Sequence, residues 1–281
     1  MDRRTTPARP DLAAAHLEGQ IEAERFVEPV DKQVGHANVW LRSGPRDDAP
    51  VDTELLFGEV FAVLEEKDGW AWGFARNDGY TGYVPSAALD DEVHMASHRV
   101  SALRTYVLSK PDLKSPPAEL ISLNSRIAAG RREGNYVEVI GTGWVPQFHI
   151  APVSATEPDF VAVAERFYAV PYLWGGKTSV GLDCSALVQL SLEAAGIPAP
   201  RDTDLQEAEL GGRWRHVEAD APKRRGDLVF WKGHVGIMTD GEQLLHANAY
   251  HMAVELETLA DAVERIEKTA GPVTSVLRRS R

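Results

Sequence analysis

The chain has 281 residues, 43% hydrophobic and 26% charged, with a net charge of −12. No apolar run approaches the roughly 18 residues of a membrane-spanning helix, and the acidic balance argues against nucleic acid or an anionic membrane as partner, since both demand basic surface. A single cysteine, Cys184, rules out an intramolecular disulfide framework. The first residues, "MDRRTTPARPDLAAAHLEGQ", lack the apolar centre of a secretory signal, so a reducing compartment, the cytoplasm, is the expected location.

Length predicts roughly two domains, or three if some are small. Residues 1–24 read as a Pro-containing extended start followed by a short helix over "DLAAAHLEGQIEAER", whose thin stripe of Leu12, Ala15, Leu17 and Ile21 would lie across another domain. Residues 25–93 turn to short alternating runs, "VWLRS", "ELLFGEVFAVLEE", "GWAWGFAR" and "GYTGYVPS", split by turn residues, as in a small barrel. Residues 96–153 repeat the plan: a strand after "LR", a Pro-rich loop, a strand pair, and an aromatic-Val-Pro ending, "GWVPQFHI" against "GYVPSAAL". Two divergent copies of one barrel of about 60 residues, each marginal alone, should pack on a neighbour.

From 154 to 281 the pattern is mixed. "EPDFVAVAERFYAV" has the apolar spacing of a helix. A glycine-broken loop then leads into "CSALVQLSLEAAG", which Gly196 ends and Pro198 closes off. Apolar residues on several sides of that helix predict a central, buried position. Strands at "GDLVFWKG", "HVGIMT", "QLLHANA" and "MAVELE" and a last helix at "TLADAVERIEK" complete an α+β arrangement, one central helix on an antiparallel sheet.

Cys184 opens the central helix. A lone cysteine often packs as a small hydrophobe. At a helix start, however, unpaired N–H groups and the helix dipole favour a thiolate, by about 0.3–1 kcal/mol for the dipole, and the same N–H groups can hold an oxyanion. His234, opening "HVGIM", is the candidate base, and His246 in "LLHANA" the group that orients it. A two-residue turn at Asp240-Gly241 would throw the two imidazoles to opposite faces. A three-residue loop, 239–241 with Gly241 left-handed, would pair 234 with 246 on one face, and any odd-length loop keeps them together. A zinc site from these three side chains lacks a short-spaced ligand pair.

In order along the chain, "PYLWGGKTSVGLDCSALVQLSLEAAG", "PRDTDLQ", "RRGDLVFWKGHVGIM" and "LLHANAY" resemble the NlpC-type cell-wall peptidases, papain-like cysteine hydrolases that cut peptidoglycan peptides. The resemblance implies a Cys184–His234–His246 triad, with Tyr172 by the nucleophile, Asp183 and Ser185 flanking it and contacting substrate, and Thr203 in place of the more usual Ser. The N-terminal half resembles the paired bacterial SH3-like domains of muropeptide-recycling members. By that likeness Glu59 in "LLFGEV" and Tyr80 in "DGYTGYV" would bind the free amine of an N-terminal L-Ala, and the second barrel would be structural. The implied fold is α+β, a papain-like domain preceded by two small SH3-like β-barrels. The implied function is hydrolysis of the γ-D-glutamyl–diamino acid bond in muropeptides by a thiol peptidase without metal or organic cofactor, acting on a small peptide and not on nucleic acid or membrane. The alternatives are an inactive cell-wall-peptide binding module and a thiol amidase or acyltransferase on the same fold.

Overall fold

The computed structural model describes residues 1–218 and 220–280, which divide into two units, Met1–Ser154 and Ala155–Arg281. In the first unit two sheets repeat one order. Strands Val51–Leu56, Asn38–Arg42, Thr81–Pro85, Trp70–Ala75 and Val60–Lys67 lie side by side; so do Pro117–Ser122, Arg104–Leu108, Gly143–Pro146, Tyr136–Val139 and Ala129–Glu133. Each copy leaves its last long strand through a proline, Pro85 or Pro146, into one turn of 3-10 helix, because proline fixes φ where the chain must bend. Alternate side chains of the first copy, Val39, Leu41, Leu55, Phe61, Val63, Tyr80 and Val84, fill its interior. The second copy is closed by Val100, Val107, Ile121, Ile127, Val139 and Val145, and Phe57 of the first copy enters that cluster. Neither core is large, and Phe57, reaching from the first copy into the core of the second, helps to join two marginal barrels.

The amino-terminal segment differs from expectation. No α-helix forms over 11–25. Instead Leu12–Ala14 is a strand, antiparallel to Ala8–Arg9 and parallel to Phe26–Val27, and only Ala15–Leu17 makes a 3-10 turn. Leu12, Ala13 and Ala14 are fully buried, with Leu12 and Ala14 against Leu64, Trp72 and Phe74 on the outer face of the first barrel. A strand buried on both sides beats a helix whose apolar stripe was too thin to pay for its own docking.

The second unit is one six-stranded antiparallel sheet with helices packed on it. The strand order is Arg215–His216, Ser275–Arg278, Leu228–Trp231, His234–Met238, Gln243–Asn248 and Ala253–Thr258. Helix α1 is Phe160–Glu165, α2 is Cys184–Ala194, α3 is Thr203–Gly211 and α4 is Leu259–Ala270. Every residue of α2 except Glu193 is buried, so α2 is the central helix. It stops where Gly196 takes φ +73°, a left-handed conformation that suits glycine after a helix. Helix α4 buries Ala262 and Ile266 against Trp231, Met238, Leu244 and Val276. Helix α3 and the strand Ser275–Arg278 were not expected. The strand is pinned by Arg278, whose guanidinium bonds both oxygens of the fully buried Asp227 at 2.6 Å.

Candidate active site

The chain reaches Cys184 through the glycine loop at 173–183. Gly175 turns at φ +76° and its N–H bonds Asp183 Oδ2 at 3.0 Å; a Cβ on Gly176 would press to 2.6 Å from the Gly181 carbonyl. Asp183 then caps α2, its Oδ1 accepting from the Ala186 N–H at 2.9 Å. The cap reaches the third residue of the helix and leaves the Cys184 N–H outside its grip, at the positive end of α2.

Asp183 and Ser185 join a buried network at the start of α2. Buried Arg201 forks onto Asp183 with Nη1 at 2.9 Å from Oδ1 and Nη2 at 2.7 Å from Oδ2. Its Nη1 also donates to Ser185 Oγ at 2.8 Å, and that hydroxyl bonds Asp183 Oδ1 at 3.1 Å. Both side chains are thus part of a buried network that fixes the helix start. Arg201 itself, in "PRDTDLQ", was not singled out from sequence. Thr203, first residue of α3, brings Oγ1 to 3.8 Å from the Cys184 sulfur. Tyr172 is held by its N–H to the Met252 carbonyl and a bridge to Leu182. Burial, then the neighbouring Cys184 and Asp183, push its phenol well above the ordinary range.

The sulfur is met from the sheet by the Val235 N–H, the residue after His234. His234 starts its strand directly after the two-residue turn Lys232-Gly233, where Gly233 has φ +75°. The hairpin that follows has a different register from the one expected. Ile237 pairs with Leu245 and Met238 with Leu244, and the Thr239 N–H bonds the Gln243 carbonyl, so the three-residue tip is 240–242. Gly241 is not left-handed, because Asp240 Oδ1 accepts from both the Glu242 and the Gln243 N–H and closes the turn by itself. Continuing this register sets Gly236, not His234, opposite His246. The loop length is still odd, so the imidazoles share a face diagonally, with His234 Nε2 2.8 Å from His246 Nδ1.

His246 is fully buried, and its Nε2 lies 2.7 Å from Glu257 Oε1 on the edge strand. Glu257 also takes Arg265 of α4. Burial opposes a charge on Glu257, yet His246 and Arg265 together hold its carboxyl below the usual range. Alternation alone places Glu257 among the polar residues of "MAVELE"; only the register of the hairpin could have found it.

Burial opposes the thiolate that the helix start favours. Cys184 is 7% exposed, and desolvation, with Asp183 adding, pushes its thiol up to about 11 against the pull of Thr203 and the Val235 N–H. Desolvation, with His246 adding, takes His234 down to about 3, and burial lowers His246 too. The dipole contributes less than one pKa unit and loses. Burial thus favours the uncharged form of each group.

Glu59 and Tyr80 lie in the first unit. Glu59 is buried in the turn after Leu56, with Oε2 accepting the Leu56 N–H at 3.0 Å. Gly58 in that turn has φ +76°, and a Cβ there would collide with the Arg126 carbonyl. Tyr80 packs in the barrel core.

Residues 169–266 match the NlpC/P60 family, and residues 41–89 match the bacterial dipeptidyl-peptidase Sh3 domain. A gamma-D-glutamyl-L-lysine dipeptidyl-peptidase of Bacillus subtilis (strain 168) is 28% identical across 82% of this chain and 83% of its own length. Dipeptidyl-peptidase 6 of Lysinibacillus sphaericus is 24% identical across 78% of this chain and 88% of its own. A solved NlpC/P60 family protein from Bacillus cereus ATCC 10987 superposes with a TM-score of 0.74 at 17% identity, covering 88% of this chain and 99% of that one, and so shares the fold. The central helix on its antiparallel sheet is the papain-like NlpC/P60 fold, the strands before it include an SH3-like domain, and the chain is a cysteine peptidase that carries an NlpC/P60 domain.

Proposed function

We propose that the chain cuts the γ-D-glutamyl–diamino acid bond of peptidoglycan-derived peptides with a free N-terminal L-Ala, in the recycling of cell-wall peptides. The observation that carries this is Cys184. A cysteine peptidase needs a thiol, this chain has one, and it lies at the start of α2 beside Thr203 and the backbone that bears His234. Likeness over most of the chain to relatives named for γ-D-glutamyl-L-lysine and dipeptidyl cleavage supports the substrate class.

His234 Nε2 is engaged with His246, so Nδ1 is the nitrogen that exchanges the thiol proton. The Cys184 sulfur attacks the γ-D-glutamyl carbonyl as its proton passes to His234 Nδ1. The Cys184 main-chain N–H and Tyr172 face the oxyanion. His234 then protonates the departing amine of the diamino acid, leaving a thioester on Cys184, and water releases L-Ala-D-Glu and restores the thiol. His246 orients His234. Glu59, with Tyr80, is assigned to the substrate's ammonium: a carboxylate shielded from water gives a strong charge-assisted bond and selects a free amino terminus.

Product analysis decides the proposal. Incubation with L-Ala-γ-D-Glu-L-Lys and with its meso-diaminopimelate counterpart should release L-Ala-D-Glu and the free diamino acid, and N-acetylation of the L-Ala should suppress release. Intact tripeptides after long incubation with active-site thiol verified would overturn it.

A further inference from the structure

Beyond the Cys–His–His set, the sheet carries a fourth polar group in line with it. We propose that Glu257 is a positioning residue which sets the tautomers of both imidazoles, so that the nitrogen His234 offers to Cys184 carries no proton. The inference rests on the cysteine-peptidase reading of the site and extends it by one residue.

The chain of contacts runs inward from α4. Arg265 pairs with Glu257 while its guanidinium also sits 4.5 Å over the Tyr250 ring, so its fork is anchored on two sides. An ionised carboxylate has no proton to donate; toward His246 Nε2, 2.7 Å away, Glu257 can only accept. His246 Nε2 therefore carries the hydrogen. A neutral imidazole has one N–H, so His246 Nδ1 is a lone pair. That lone pair lies 2.8 Å from His234 Nε2, which must then be the donor of that bond. By the same rule His234 Nδ1 is left bare. The nitrogen that the peptidase reading turns toward Cys184 is thus left without a hydrogen by a charge two rings away.

The groups that bear on His246 are His234 on the adjoining strand, Glu257 on the edge strand, Arg265 on α4 and His251 in the turn before that edge strand. Of these, Glu257 is the one hydrogen-bonded to Nε2. Were Glu257 replaced by a side chain with no acceptor, such as leucine, nothing would hold the hydrogen on His246 Nε2, and both rings would be free to move their hydrogens to Nδ1.

Nitrogen-15 NMR of the full chain labelled at histidine tests this without turnover. In the wild type both His234 and His246 should appear as Nε2–H tautomers at neutral pH. In Glu257→Leu, which removes the acceptor, the tautomers should redistribute, kcat/KM on the tripeptide should fall roughly a hundredfold, as for loss of other orienting partners, and its pH profile should change. A wild-type His234 carrying its hydrogen on Nδ1 would overturn the proposal even if Glu257→Leu failed to fold. So would a Leu variant that keeps both the wild-type tautomers and kcat/KM within threefold. Expected tautomers in a protein that cleaves nothing would instead count against the peptidase reaction and leave the relay standing.

Discussion

Arg201 and Asp183 meet through two parallel hydrogen bonds of 2.9 and 2.7 Å, with the guanidinium only 1% exposed. Such a pair stabilises little by formation, because desolvation offsets the attraction, yet costs heavily when one partner is removed. Arg201→Met should lower the unfolding free energy by about 3–5 kcal/mol, read as a shift of the urea midpoint. Adding Asp183→Leu should recover part of that loss and not all, since the α2 cap goes with the carboxylate, at about 1 kcal/mol. Midpoints that move by less than the experimental scatter would show that the pair is not what holds the helix start.

Cys184→Ala should abolish release of free amine from the tripeptide while leaving circular dichroism and the urea midpoint close to wild type, because the sulfur sits in a packed site that an alanine methyl can enter. Turnover near the wild-type rate would remove Cys184 from the mechanism.

Acid should destabilise the fold through the two histidines. Both have folded-state values below the ordinary one, with His234 near 3. The unfolded chain binds their protons first, so the stability they allow is whole above pH about 6.5 and drains as pH falls toward the folded value. The buried carboxylates with lowered values, such as Glu257, act in the same direction but only below about 4.5. Between pH 6.5 and 5 the decline is therefore the histidines' own. Urea midpoints should drop across that window in the wild type, and His234→Gln should flatten the slope.

Glu59→Gln separates two roles of one side chain. The amide oxygen can still accept the Leu56 N–H, so the urea midpoint should shift by less than about 1 kcal/mol. With the charge gone, kcat/KM on free-amine peptides should fall by tenfold or more while N-acetylated peptides are unaffected. Tyr80→Ala, by contrast, empties a core position and should cost about 3–5 kcal/mol. A Glu59→Gln enzyme with its amine preference intact would send the search for the ammonium's partner elsewhere.

What could be read from the residues alone divides along a physical line. Helices α2 and α4 and the strands from Leu228 to Thr258 announce themselves through period and punctuation, and so does the repeated strand–Pro–turn of the barrels. Helix α3 was equally open to view, with Pro200 and Asp202 ahead of it and Gly211-Gly212 at its end, but short and polar helices give a weak period. Leu12–Ala14 misled because a short apolar segment takes its conformation from what it packs against, here Trp72 and Phe74, and those lie sixty residues on. Within the site, Cys184, His234 and His246 are chemically distinctive types in telling places. Glu257 and Arg201 are ordinary charges whose meaning comes only from register and burial, and the burial that pushes the Cys184 thiol upward is likewise invisible until the chain is folded.

Trimming the first two dozen residues would do more than shorten a tail. The strip at 12–14 shields the indole of Trp72 and the ring of Phe74, and without it the outer wall of the first barrel would offer an oily, edge-rich face to any other molecule in solution. The smallest portion of this half that stays dispersed in water should therefore start ahead of residue 8, well upstream of where its barrel strands begin.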